Sequence, residues 1–285
     1  MPTLPYHAVD VFTDRPYAGN PLAVVLDADD LPTEALQAIA RELNLSETTF
    51  PMRPTVPAAT YRVRIFTPAT ELPFAGHPSV GTAHTLARLG RIPTGAVVQE
   101  CGAGLLPVAV DAVGARLTGG AAVVGAEVDP APYLGAVGLS AGDLTGLPSR
   151  SCSAGLPTLF VLVRASAVAR ARLDLAAFAG TGLAENLAVV HWDAGSGTAH
   201  ARVFAAAYGV PEDPATGSAA LAFGVYLAAA GLVAEGTTGF TIRQGAELGR
   251  PSTLGCTVTV ADGEVVRTTV YGAVAPVATG HLVVP

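Results

Sequence analysis

The sequence predicts an α+β fold of two pseudo-symmetric domains, each a barrel-like β-sheet wrapped around a central α-helix. Three observations carry that expectation. The length of 285 residues suits two domains of about 150 residues each. The stretch His77-Pro78-Ser79-Val80-Gly81-Thr82-Ala83 returns 136 positions later as Asp213-Pro214-Ala215-Thr216-Gly217-Ser218-Ala219. Gly19-Asn20-Pro21 and Gly155-Leu156-Pro157 stand at the same offset, while Arg64-Ile65-Phe66 and Arg202-Val203-Phe204 follow at 138. A period this long is not that of a solenoid. Finally, each half holds many short strand-like runs and few helical ones. The expected boundaries are 1–126 and 127–272, with the tail 273–285 assigned back to the first domain.

Taken in order, Val9 to Thr13 and Leu22 to Leu26 read as strands around a Pro/Gly loop. Thr33 is expected to cap a helix whose apolar positions Leu36, Ile39, Ala40 and Leu43 keep the 3.6 period. Glu47 opens the next strand, and Thr60 to Thr67 alternates as another. A loop carrying Glu71 and His77 then leads into a helix from near Ser79 to Gly90. Short strands are expected at Val97-Val98, Leu105–Val110 and Ala121–Val124, and the Gly/Pro/Ala-rich stretch from Val128 to Ser151 as the crossing. The second half repeats the order, with a strand at Thr158–Val163, an Ala-rich helix near 166–178, and strands at Leu187–Trp192 and Ala201–Ala206. A long apolar helix follows the Asp213 loop, and Asp262-Gly263 turns a closing hairpin.

Composition excludes several classes. A net charge of −7 and a pI near 5.3 argue against nucleic acid and acidic membrane surfaces as partners. All 16 basic residues are arginines, so there is no Schiff-base lysine and no P-loop lysine. Cys101, Cys152 and Cys256 form no C-x-x-C pair, the histidines lack ligand spacing, and neither a metal nor another cofactor is expected. No basic stretch followed by an apolar one opens the chain, which gives a cytoplasmic expectation. Pro214 to Ala234 carries no charge, but its bulk is Ala and Gly, which suits a buried helix better than a membrane span.

The chemistry-bearing candidates are Glu47, His77 and Asp213. A glutamate in a strand with little charge nearby, if buried, is fit to take and return a proton; the alternative is an edge-strand side chain in solvent. His77 and Asp213 correspond under the repeat, although a lone histidine is more often structural and Asp-Pro often only starts a turn. Gly81-Thr82 and Gly217-Ser218 are read as two helix starts, whose free N–H groups suit an anion unless they are simple caps. Gly138-Leu139-Ser140-Ala141-Gly142 matches G-x-S-x-G but lacks the strand that a nucleophile elbow needs before it.

The stretches VDVFTDRPYAGNPLAVVL (9–26), SETTF (46–50), RIFTPATELPFAGHPSVGTAHTL (64–86), PEDPATGSAALAFGVYL (211–227) and QGAELGRPS (244–252) resemble the PhzF-type phenazine biosynthesis isomerases of the diaminopimelate epimerase-like fold. The resemblance spans nearly the whole chain in order. It implies an active site between the two domains, with Glu47 as the main proton-transfer group and His77 and Asp213 assisting. Asn20, Gly76, Ser79, Gly81, Thr82, Thr216, Gly217 and Ser218 would contact a small carboxylic-acid substrate. No thiol stands in Phe74-Ala75-Gly76-His77 or Thr216-Gly217-Ser218, against a two-thiol racemase. A homodimer and a cofactor-independent isomerase are implied; an epimerase with opposed bases and a non-catalytic metabolite binder remain as alternatives.

Overall fold

The computed structural model describes residues 2–285. They form two compact units, one made of residues 2–118 and 271–285 and the other of 119–270. The first unit holds β1 (Thr3–Val11), β2 (Asn20–Val25), α1 (Thr33–Leu43), β3 (Glu47–Met52), β4 (Tyr61–Phe66), β5 (Glu71–Leu72), α2 (Gly76–Arg88), β6 (Gly95–Cys101), β7 (Gly104–Val110) and β8 (Gly114–Thr118). The second begins with β9 (Val123–Glu127), α3 (Ala131–Ala136), β10 (Arg150–Ser153), β11 (Thr158–Leu162), α4 (Ala165–Val168), α5 (Leu175–Gly180) and β12 (Asn186–Asp193). It continues with β13 (Thr198–Ala205), β14 (Val210–Asp213), α6 (Gly217–Ala229), β15 (Gly236–Gln244) and β16 (Ser252–Ala261). The last strand, β17 (Glu264–Val283), starts in the second unit and ends in the first.

Pairing shows the duplication. In the first unit β2 runs parallel to β3, β3 antiparallel to β4, and β4 parallel to β6. In the second, β11 runs parallel to β12, β12 antiparallel to β13, and β13 parallel to β15. The returning half of β17 pairs with β1, and β17 also pairs with β8. With the pairs β1–β2, β6–β7 and β7–β8, this closes an eight-stranded barrel. Closure removes the exposed edges that an open sheet would leave.

Each barrel-like sheet wraps one helix. Helix α2 is buried from Gly76 to Leu86 and packs on β1, β2, β3, β7 and β8. Helix α6 is buried from Gly217 to Leu227 and packs on β9, β10, β11 and β16. Its uniform apolar character fits burial on every side. It has 13 residues, and among the described residues no helix is long and apolar enough to cross a membrane. Its flank is an aromatic cluster of Phe160, Trp192, Phe223, Tyr226 and Phe240. Around α1, Leu36, Ile39 and Ala40 pack with Leu4, Val25, Phe50 and Phe66.

Several local expectations change. The first unit ends at Thr118 rather than at residue 126, because β9 pairs with β10. Thr33 is the first helical residue and Pro32 the cap; the Thr33 hydroxyl instead accepts from Arg64. The expected helix at 166–178 is two short ones. Between them the Arg172 guanidinium turns back onto the carbonyls of Ala169 and Ala171, and the Asp174 carboxylate caps α5. Strands β8 and β15 were not foreseen. Ser140 opens a 3-10 turn, bonded through its backbone N–H and hydroxyl to Asp143, so it is no nucleophile elbow. Asp262 and Gly263 turn the hairpin with φ of 54° and 79°, as a type I′ turn requires.

Candidate functional site

In the first unit the chain brings Asn20, Glu47 and His77 together. Gly19 (φ +66) leads into β2 where a Cβ would stand 2.3 Å from the Val11 carbonyl oxygen, so only glycine lets the loop turn there. Asn20 follows, fully buried and opposite Val11. Glu47 opens β3, in register with Leu22 of β2. His77 is the second residue of α2 rather than a loop residue. Pro78 does not obstruct the helix there, because first-turn N–H groups have no intrahelical acceptor to lose.

His77 Nε2 lies 3.6 Å from Glu47 Oε2, with the imidazole 3% and the carboxylate 14% exposed. His77 Nδ1 is 3.1 Å from the Asn20 amide nitrogen. Burial drives the His77 pKa down to about 3, outweighing a backbone contact with Pro21 that favours protonation. The imidazole is therefore uncharged at neutral pH, and its approach to Glu47 is that of a dipole to a carboxylate.

In the second unit Asp213 ends β14 and is mostly buried. Its Oδ2 accepts from the Thr216 hydroxyl at 2.7 Å. Gln244, buried at the end of β15, donates to the Asp213 carbonyl at 2.7 Å and to Thr216 Oγ1 at 3.1 Å, and accepts from the Thr216 N–H at 3.2 Å. Gly245 (φ +77) lets this turn approach, since a Cβ would sit 2.5 Å from the Pro214 oxygen. Gly217 and Ser218 then open α6, with Thr216 as its cap.

The expected equivalence of the two loops needs correcting. The offset of 136 aligns Gly81-Thr82 with Gly217-Ser218, but Gly81 and Thr82 lie inside α2 and do not start it. A Cβ on Gly81 would meet Leu22 Cδ2 at 2.6 Å and Val11 Cγ2 at 2.7 Å. The Thr82 hydroxyl is 2.8 Å from that of Thr49, tying α2 to β3. Ser79 donates to the Ala75 carbonyl and accepts from Gln99, which in turn accepts from Tyr61. The two helix starts are Gly76 and Gly217, each opening 13 residues. Sequence reading named neither Gln244 nor any partner for Asn20; the quoted QGAELGRPS stretch was the available signal for the former.

A cavity of about 500 Å³ in the first unit holds none of these residues. Its charged lining is spent on itself, with Arg91 bidentate to Asp27 and Arg53 on Asp29. Among the described residues no group of three or more His, Cys, Asp or Glu side chains is placed to hold a metal ion. Burial pushes the Cys101 thiol up, away from the thiolate that a reactive cysteine needs.

Known proteins place this fold. An uncharacterized isomerase of Mesorhizobium japonicum is 38% identical, over 99% of both chains. The trans-2,3-dihydro-3-hydroxyanthranilate isomerase of Pseudomonas aeruginosa is 35% identical over 87% of each. The crystal structure of a PhzF-family phenazine biosynthesis protein from Bacillus anthracis superposes with a TM-score of 0.89 at 26% identity, covering 99% of this chain and all of that one. The protein is an isomerase with a duplicated α+β fold. More narrowly, the PhzC-PhzF family profile, described as phenazine biosynthesis-like protein, matches residues 9–280, and the chain belongs to that family.

Proposed function

We propose that the protein moves a proton on a small carboxylic acid, with Glu47 as the group that takes it and gives it back. The approach of Glu47 Oε2 to His77 Nε2 at 3.6 Å carries this reading. It sets a mostly enclosed carboxylate against an uncharged imidazole, so His77 supplies no cation to neutralise it. A carboxylate held in this way is suited to general acid–base work. Asp213, oriented by Thr216, is the second acid of the proposal. The name of the Pseudomonas aeruginosa relative supplies the substrate class, a small hydroxylated amino acid of the dihydroanthranilate type.

The test uses trans-2,3-dihydro-3-hydroxyanthranilate in deuterated water, followed by proton NMR. The wild-type protein is expected to shift the double bond and to take up deuterium. Glu47→Gln is expected to slow this by about 10²–10⁴-fold, the usual share of a general acid–base group, with its circular dichroism unchanged. Exchange at the wild-type rate in that variant removes Glu47 from the reaction. Inversion at a stereocentre would identify an epimerase instead, and binding without exchange a metabolite binder.

A further inference from the structure

Asn20 is fully buried, and its side-chain nitrogen lies 3.1 Å from His77 Nδ1. With the amide turned as it stands, its NH2 group faces the ring and has donors only, so in this arrangement Nδ1 accepts and carries no proton. An uncharged imidazole has one N–H, which must then sit on Nε2, the atom 3.6 Å from Glu47 Oε2. We propose that Asn20 is a positioning residue that locks His77 in the Nε2–H tautomer, so that the ring presents a donor and no lone pair to Glu47. The inference rests on the reading of Glu47 as the proton carrier and adds how that carrier is held.

The consequence concerns where the proton can go. When a substrate C–H bond breaks and an O–H bond forms on Glu47, His77 has no vacant nitrogen to receive that proton. Nδ1 is occupied by Asn20, and Nε2 already bears its hydrogen. The O–H bond on Glu47 therefore breaks only as a new bond forms back on the substrate, and no second carrier on the His77 side takes part. Asn20 thus fixes the tautomer of His77, as the second partner of a ligating or catalytic histidine does elsewhere, and the Nε2–H faces the carboxylate. The rival arrangement has the Asn20 amide turned over, its oxygen accepting from a Nδ1–H. That would point the Nε2 lone pair at a carboxylate, an unfavourable approach of two acceptors.

The test is 15N NMR of histidine-labelled protein at neutral pH, with the His77 signals identified by their loss in His77→Gln. The expected spectrum shows an unprotonated Nδ1 and a protonated Nε2; a Nδ1–H tautomer or an imidazolium overturns the proposal. Asn20→Asp keeps the shape but offers acceptors only, so His77 in that variant is expected to gain a proton on Nδ1. Retention of the Nε2–H tautomer there also overturns the proposal. With trans-2,3-dihydro-3-hydroxyanthranilate, Asn20→Asp is expected to lower kcat on the order of 10-fold, about one hydrogen bond to a charged group, with KM changing less. The two readings fail separately: wild-type exchange in Glu47→Gln sinks only the carrier, and a Nδ1–H tautomer sinks only the role of Asn20.

Discussion

Arg64 of β4 grips Glu71 of β5 through two bonds of 2.7 and 2.6 Å, and Arg202 of β13 grips Glu212 of β14 through two of 2.8 and 2.6 Å. Each guanidinium also lies over the phenylalanine two residues on, Phe66 in one unit and Phe204 in the other. The duplication has thus kept one anchor twice, between corresponding strands, just ahead of His77 in one half and beside Asp213 in the other. The surroundings differ. The first pair is 17% and 39% exposed, the second 5% and 12%. Arg202 moreover donates to the carbonyls of Val168 and Ala171 and so holds the segment between α4 and α5. The same bond geometry therefore has two different energetic weights. Water can take over the first pair when it breaks, while the second leaves a charge stranded.

The sharpest way to break this comparison is to remove one acid from each pair. Glu212→Gln is expected to destabilise by about 3–5 kcal/mol, because Arg202 remains buried without a counter-charge. Glu71→Gln is expected to cost about 0–1 kcal/mol. Denaturant unfolding of both variants measures this, and equal losses would refute the contrast in burial. A smaller effect separates the two central helices. Gly81→Ala forces a methyl against Leu22 and Val11 and is expected to cost about 1–3 kcal/mol by overpacking. Gly224→Ala meets its nearest neighbours only at 3.2 and 3.3 Å. There the helix propensity gained, about 1 kcal/mol, is expected to offset the crowding, leaving its melting temperature near that of the wild type.

The most gradual effect is that of pH. His77 has its folded pKa lowered to about 3 from 6.5. Above pH 6.5 both folded and unfolded forms are neutral, and the contribution of His77 is fully present. As pH falls from 6.5 toward 3, the unfolded chain binds a proton that the folded one refuses, so stability declines, by at most about 1.4 kcal/mol per pH unit. The difference between wild-type and His77→Gln unfolding free energies is expected to follow that slope. A flat difference would mean that His77 is not held neutral.

The repeated architecture was legible because strands carry their signal locally. The alternation of Tyr61, Val63 and Ile65 with Arg62 and Arg64 predicts β4, and Asp262-Gly263 predicts the turn between β16 and β17. Strands β8 and β15 stayed hidden because Gly114-Ala115-Arg116 and Gly236-Thr237-Thr238-Gly239 owe their form to neighbours across the sheet, not to periodicity. The start of α2 was misplaced for a related reason. The bias of the residue before proline away from helix yields where burial of Gly76, His77 and Ser79 in the barrel dictates the first turn. At the candidate site, Glu47, His77 and Asp213 could be named from motifs. Asn20 and Thr216 were legible too, as substrate contacts, but their bonds to His77 and Asp213, and the part played by Gln244, required coordinates, since the direction of a hydrogen bond does not register in spacing. The role of Gly81 was missed because glycine beside threonine looks alike at a helix start and in a tight helix–sheet contact.

The long final strand also bears on how the chain assembles. Thr3 of β1 pairs with Val283 of β17, so the first barrel cannot close until nearly the whole polypeptide is available, whereas residues 119–270 are contiguous. Loop closure over such a separation is slow. The second unit is therefore expected to mature ahead of the first, against the usual order of synthesis. Pulsed hydrogen exchange during refolding should then protect the amides of β12 and β13 before those of β1.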